Sequence, residues 1–410
     1  MRGAYWLLRC GETLRIQAGC APQAAHSRNP RAGDAANGIS PMTRRNRSGT
    51  KLWNTLSKIA TRNVQRAQRT VTKSAIRSAL KQGEAMSKAA QRVLTGVASP
   101  VPTPVSRGGG RWEEGSWGLG PLVQRRYRLF IPPGVSASRP APLLVLLHGC
   151  GQDAASFAAC TRAATLARSA GCVVLMPEQS SQANAQRCWN WFRAAPRVVA
   201  EASLLMSIVE HVCQHQPVRR ERVFALGLSA GGAMAVILGL RYPDRFVAVG
   251  SHSGAVPLSA SNAAQAARVM HGKGQPDLDA ARFQLAGRRP PPLLLLHGDA
   301  DHVVHFDNAL ASAALWQQLL PQPPMLAKPR RVQRGQRRAY SIFAWSSEGE
   351  PCIRLVRIEG LGHAWSGGPS SQAFADPSGP DALRIAWQFF MQCLAARQRA
   401  APRRVPKVAA

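Results

Sequence analysis

Acidic residues are scarce in this chain. Aspartate and glutamate number 21 in 410 residues, against 53 lysines and arginines, which leaves a formal net charge of +32. Charged residues make up only 18% of the chain, so the imbalance comes from missing acids more than from crowded bases. A chain this basic is drawn to polyanions such as nucleic acid, anionic lipid or polyphosphate. A genome biased toward Arg and Ala codons produces the same imbalance with no partner at all. Paired cysteine motifs are missing too. The nine cysteines are scattered, with no C-x-x-C among them, so no zinc or redox motif is present. Membrane-length apolar runs are also missing; the longest, such as Pro142 to Leu147, have the length of a strand. Finally, the N-terminus lacks the apolar centre of a signal peptide, because Tyr5-Trp6-Leu7-Leu8 is cut short at Arg9. Secretion is therefore not expected, and the cytoplasm is the expected location.

What is present falls into segments. Residues 1–41 show no periodicity and read as unstructured, and Met42 is a candidate alternative start. Residues 42–97 read as a basic helical arm. Leu52, Leu56 and Ile59, then Ala60, Val64, Ala67 and Val71, recur three and four apart, while Lys58, Arg62, Arg66, Arg69 and Lys73 follow a track of their own. Such an arm, over residues 51–97, can lie on an anionic surface or hold nucleic acid without specificity. A solvated arm with no partner is the plainer alternative. Residues 98–121 are rich in Pro, Gly and Ser and read as a linker. Residues 122–396 alternate short β runs with helical stretches, and 397–410 form a short basic tail.

That alternation predicts an α/β domain with a mostly parallel central sheet and helices on both faces. Expected strands are 126–131, 143–147, 172–176, 222–226, 246–250, 293–296 and 353–358. Expected helices include 201–213, 230–240 and 381–395. In sheets of this type the chemistry gathers at the carboxyl ends of the strands.

The strongest motif stands at one such end. Gly227-Leu228-Ser229-Ala230-Gly231 lies between an expected strand and an expected helix, the setting of a nucleophile elbow. A turn that sharp strains the backbone of its central residue and leaves no room for flanking side chains. A serine nucleophile needs a base, and the base needs an orienting acid. In this architecture they follow in the order Ser, acid, His. The strand 293–296 runs into His297-Gly298-Asp299-Ala300-Asp301, and we take Asp301 as the acid with Asp299 as the alternative. The strand 353–358 leads to Gly360-Leu361-Gly362-His363, and His363 is the expected base. His252, His297, His302 and His305 compete for that role; His297 and His302 read as structural. The backbone amides of Ala230, after the nucleophile, and Cys150, in His148-Gly149-Cys150-Gly151, are the expected oxyanion donors. His148 reads as a holder of that loop. No metal or cofactor is required.

Together these segments resemble the polyhydroxybutyrate depolymerase-type esterases over about residues 125 to 395. The resemblance rests on His148-Gly149-Cys150, Pro177-Glu178-Gln179-Ser180, Cys188-Trp189-Asn190-Trp191-Phe192, Gly227 to Met234, His252-Ser253-Gly254, His297 to Asp301, and Gly362 to Gly368. It implies an α/β-hydrolase fold and hydrolysis of esters of short 3-hydroxy acids, poly(3-hydroxybutyrate) or its oligomers, through a Ser-His-Asp triad and an acyl-enzyme. It also favours Asp301 over Asp299. Without a signal peptide, the chain looks more like the family's intracellular members, which implies association with polymer granules. Trp189, Trp191 and Trp365 are candidate walls of a polyester groove, since pocket walls are often aromatic; core packing is the alternative for the first two. Feruloyl and acetylxylan esterases share similar segments and give the alternative substrate class. A surface-binding protein with a vestigial hydrolase domain is the non-enzymatic alternative.

Overall fold

In this computed structural model the structure describes residues 109–118 and 124–400. The assignments made for residues 1–97, including the basic arm and its partners, lie outside the described residues. The main elements begin with β1 (Arg111–Gly118), β2 (Gln124–Ile131), β3 (Ala141–Leu147), α1 (Ala154–Thr161), α2 (Ala163–Ala170), β4 (Val173–Pro177) and α3 (Ala195–His215). They continue with β5 (Val218–Leu228), α4 (Ala230–Arg241), β6 (Ala248–His252), α5 (Ala263–Arg268), α6 (Leu278–Leu285), β7 (Leu293–Gly298) and α7 (Asp307–Leu319). The last are β8 (Met325–Leu326), β9 (Arg330–Val332), β10 (Tyr340–Ser347), β11 (Glu350–Ile358), β12 (Trp365–Ser366), β13 (Ala375–Asp376) and α8 (Ala382–Ala400).

Eleven of the described strands make one sheet, ordered β1-β2-β4-β3-β5-β6-β7-β11-β10-β8, with β9 also on β10. The centre, from β4 through β3, β5, β6 and β7 to β11, is parallel. Antiparallel strands extend it at both ends. Parallel strands carry helices on both faces, so their sequences are apolar on both sides. β7 is buried along its whole length and reads Leu293-Leu294-Leu295-Leu296. Neighbouring residues of β6 show the two covers. A side chain added at Gly250 would meet Phe390 of α8, whereas Val249 on the opposite face packs against Gly239 of α4. The α8 side holds a large cluster that includes Phe130, Phe157, Phe224, Phe389 and Phe390. This is an α/β-hydrolase fold, with helices on both faces as expected.

Two boundaries differ from expectation. Arg111–Gly118, assigned to the linker, form β1 and pair along β2. An edge strand half open to water needs no apolar run, and Glu113 and Glu114 break any such run here. Trp112 nonetheless lies over Phe130, ring centres 5.0 Å apart, and Gly115 makes room for the Tyr127 ring. At the other end α8 continues to Ala400, so Arg397 and Arg399 belong to its last turn rather than to the tail.

Candidate active site

Ser229 sits between the end of β5 and the start of α4, with φ 56° and ψ −119°. A non-glycine residue with positive φ is strained and persists only where its surroundings hold it. Here the Ser229 amide donates to the His252 carbonyl at 2.8 Å. The glycines make the turn possible. A Cβ on Gly227 would strike the Gly231 backbone, and one on Gly231 would strike the Leu147 carbonyl at the end of β3. The N-terminus of α4 therefore stands directly behind the serine, where its unpaired amides favour negative charge.

The loops of Asp301 and His363 leave adjacent strands. β11 pairs with β7 in parallel register, Ile358 opposite Gly298. The loop after β7 brings Asp301, and the loop after β11 brings His363. Beyond the strands the two loops stay together through Ala300 N–H to the Leu361 carbonyl at 3.2 Å. His363 Nδ1 lies 2.8 Å from Asp301 Oδ2, and His363 Nε2 lies 3.0 Å from Ser229 Oγ. With the Nδ1 proton directed at the carboxylate, the Nε2 lone pair faces the serine hydroxyl. The structure thus brings Ser229, His363 and Asp301 into one chain of hydrogen bonds.

Asp301 is buried and fully engaged. Its Oδ1 accepts the amides of Val303 at 3.0 Å and Val304 at 2.8 Å. His297 Nε2 donates to the Val304 carbonyl at 2.7 Å and stands 3.5 Å from Asp301 Oδ2. Burial by itself would raise the pKa of this carboxyl; the hydrogen bonds and charges of His297 and His363 outweigh it and hold it below the usual carboxylate range.

The competing residues have other partners. Asp299 faces Arg357 and accepts the Gly360 amide at 2.7 Å, which ties down the turn before His363. His252 is fully buried, accepts the Ser366 amide on Nε2 at 3.2 Å and stacks on Trp365. Burial, and then the neighbouring His297 and His363, lower its pKa to about 3 and keep it neutral. His302 and His305 are exposed.

Cys150 and Ala230 line one cavity with Ser229. Its volume is about 240 Å³, and its walls are mainly apolar, with Trp191, Phe192, Ala255, Met270 and Val304. The Cys150 loop is held from behind. Neutral His148 donates from Nδ1 to the Gly149 carbonyl at 2.8 Å and accepts the Gln179 amide on Nε2 at 3.0 Å. Trp189 Nε1 donates to the His148 carbonyl at 2.9 Å. Cys150 is also joined to Cys188 by a disulfide. That bond ties the loop after β3 to the segment 184–192, and Gly151 N–H to the Gln186 carbonyl at 2.8 Å reinforces the tie.

The three tryptophans separate. Trp191 lines the cavity, as well as a neighbouring one of about 360 Å³ that includes Leu258 and Gln284. Trp189 and Trp365 are not on the cavity wall. Trp189 is fully buried behind His148, and Trp365 is buried between Phe157 and His252. Both are core residues by burial, and Trp365 belongs to the cluster that holds Phe157 and Phe389.

Sequence reasoning missed the group that anchors the segment 184–192. Glu201 on α3 accepts the Asn190 amide at 2.6 Å and the Asn190 side-chain amide at 3.0 Å, and it hydrogen-bonds Gln179. Arg125 donates to Gln179 Oε1 at 2.9 Å and lies 3.7 Å from Glu201, with both charged groups buried. Gln179 and Asn190 stand inside the segments that carry the family resemblance. Arg125 and Glu201 carry no motif that marks them.

Residues 125–321 match the family model described as "Esterase PHB depolymerase". The match covers a little under half of the chain, and over it the chain is similar to this esterase family. Ser229 and Asp301 fall inside the matched residues, and His363 lies beyond them. Among similar proteins, poly(3-hydroxyalkanoate) depolymerase C of Paucimonas lemoignei is 27% identical over 259 residues, which is 59% of this chain and 59% of that protein. Feruloyl esterase B of Neurospora crassa is 27% identical over 219 residues, 50% of this chain and 73% of that protein. This chain therefore spans little more than half the length of the first of these relatives. An acetyl xylan esterase from Aspergillus awamori has the same fold, with a TM-score of 0.53 at 14% identity over 65% of this chain and 94% of that one.

Proposed function

We propose that the domain is a carboxylic ester hydrolase whose nucleophile is Ser229, whose general base is His363 and whose orienting acid is Asp301. One observation carries the reading: His363 hydrogen-bonds Ser229 and Asp301 at once. In this mechanism His363 Nε2 takes the proton of the Ser229 hydroxyl as Oγ attacks the ester carbonyl. The amides of Cys150 and Ala230 hold the oxyanion. The imidazolium, stabilised by Asp301, then protonates the departing alcohol and leaves an acyl-serine. Water attacks that ester with the same histidine as base, releasing the acid and restoring the serine. The apolar cavity at Ser229 suits an uncharged acyl chain.

The substrates we propose are esters of short 3-hydroxy acids, poly(3-hydroxybutyrate) or its oligomers. The family match and the Paucimonas relative's name support this choice. The relation to feruloyl esterase B supports the second reading, an aromatic-acyl or acetyl ester of a polysaccharide. Purified protein given amorphous polyhydroxybutyrate granules and a soluble nitrophenyl ester, side by side, separates the two. Release of 3-hydroxybutyrate from the granules supports the polymer as substrate, and turnover of the soluble ester alone moves the substrate to oligomers or to feruloyl- or acetyl-type esters. Ser229→Ala is the control for either and should lower kcat by about 10⁴-fold or more; unchanged turnover in that variant overturns the mechanism.

The Cys150–Cys188 bond bears on location. Protein disulfides form and persist in oxidising compartments. We therefore propose maturation outside the reducing cytosol, in place of the cytoplasmic location expected from the N-terminus. Alkylation and mass spectrometry of the protein from its own cells tests this: blocked Cys150 and Cys188 support it, and freely alkylated ones overturn it.

A further inference from the structure

Between Asp301 and His363 the chain leaves the parallel sheet and builds its far edge. β8 and β9 both pair with the outer side of β10, and no described strand lies beyond them. Residues 321–338 form most of this edge. They hold six cations, Lys328, Arg330, Arg331, Arg334, Arg337 and Arg338, and no acid. Nearly all of the stretch is exposed.

Two of the six cations are neutralised: Arg331 by Glu359 at 2.7 Å and Arg338 by Asp376 at 2.6 Å. Lys328, Arg330 and Arg334 have no acidic partner among the described residues. Arg354 is close enough to feel the positive charge of Arg330. Beside these cations stand Met325, 78% exposed, and Leu326, 46% exposed.

Cations and prolines are common guards of an open sheet edge, where they block pairing with another chain. Pro321, Pro323, Pro324 and Pro329 suit that purpose. It does not call for two exposed aliphatic side chains. Cations flanking a small apolar tip have a different physical use. The guanidinium groups pair with phosphate oxygens in a fork geometry, and the apolar tip enters the layer beneath them. A nucleic acid would be served better by aromatic platforms for its bases, and residues 321–338 contain no aromatic.

We propose that the edge formed by residues 321–338 docks the domain on a surface of acidic phospholipid headgroups, with Met325 and Leu326 inserted and Lys328, Arg330 and Arg334 on the phosphates. The inference does not depend on the reaction the domain performs. The N-terminal segment is basic as well, so binding by the full chain would not locate the contact. A footprint does. Full-length protein is oxidised with hydrogen peroxide alone, with phosphatidylcholine vesicles, with mixed phosphatidylcholine and phosphatidylglycerol vesicles, and with polyuridylate. Oxidation of Met325, read by mass spectrometry, should slow severalfold only with the acidic vesicles. A second variant set, Lys328→Gln with Arg330→Gln and Arg334→Gln, should weaken affinity for those vesicles about a hundredfold, since each cation near an acidic surface contributes roughly a fivefold factor. An unchanged circular dichroism spectrum shows that the variant is folded. Oxidation of Met325 at the free rate on vesicle-bound protein overturns the proposal. So does protection by polyuridylate alone, or, in the folded variant, unchanged affinity together with unchanged protection of Met325.

Discussion

The Gly298 Cα and the Leu361 carbonyl are in such close contact that a methyl group on the glycine would overlap the carbonyl oxygen. Gly298 ends the strand that precedes Asp301, and Leu361 lies two residues before His363. The contact holds the loops of Asp301 and His363 close together. Gly298→Ala should push the two loops apart and cost about 100-fold in kcat, the usual effect of a misplacement near 1 Å. KM for a soluble ester should change little. Steady-state kinetics on that ester checks both, and an unchanged kcat would mean that the loops do not depend on this contact.

The two aspartates of the same loop should behave differently. Asp301→Asn keeps the size of the group but loses the charge that orients His363, and should lower kcat by about 10⁴-fold. Asp299→Asn removes the partner of Arg357, which is partly exposed. It should reduce stability by about 1 kcal/mol or less and leave most activity. Equal losses of kcat in the two variants would contradict the assignment of roles. Both are read from initial rates and thermal melts.

Buried His252 predicts a loss of stability in mild acid. Its pKa is lowered to about 3 in the fold, against an ordinary value near 6.5. Between those values the unfolded chain binds a proton that the folded chain refuses, so stability falls as pH falls. The stabilisation is complete above about pH 6.5 and is lost as pH drops toward 3, with a slope approaching about 1.4 kcal/mol per unit. His252→Gln can still accept from Ser366 but does not titrate in this range. Melting temperatures between pH 7 and pH 4 should decline less steeply in that variant, and parallel curves would refute the point.

Reducing the Cys150–Cys188 bond releases one tie on the loop that carries a proposed oxyanion donor. The two cysteines are 38 residues apart, a loop for which a disulfide contributes about 3–4 kcal/mol in the chain-entropy account. The double variant Cys150→Ala, Cys188→Ala should melt lower and show a reduced kcat at temperatures where it is fully folded. If kcat is unchanged there, the loop is held well enough by His148, Trp189 and the Gln186 carbonyl.

The legible parts of the sequence were those with a strict local requirement. The turn at Ser229 admits only small flanking residues, and parallel strands buried on both faces must be apolar throughout. For that reason the strand ends, and with them the loops of Asp301 and His363, could be read in advance. β1 could not, because a half-exposed edge strand mixes Trp112 with Glu113 and Glu114 and has no pattern of its own. The tryptophans were legible only in part. Sequence shows that they are large and apolar but not which of them face a cavity: Trp191 does, Trp189 takes the alternative of core packing, and Trp365 is buried against Phe157 and His252. The disulfide was hidden among nine scattered cysteines. The buried pair of Arg125 and Glu201 was hidden because the 75 residues of intervening sequence give no sign that they meet.

The direct pairing of β7 with β11 has a further consequence. Asp301 and His363 are adjacent in space, yet the chain between them makes α7, the β8–β9 edge and β10 before it returns. None of that excursion sets the distance between acid and base. Its outermost turn, around Gly335, is therefore a place where residues can be inserted, shortened or exchanged for a tag without disturbing the reacting groups. The outer surface and the chemistry are separately heritable: one can be refitted to a new environment while the other stays as it is.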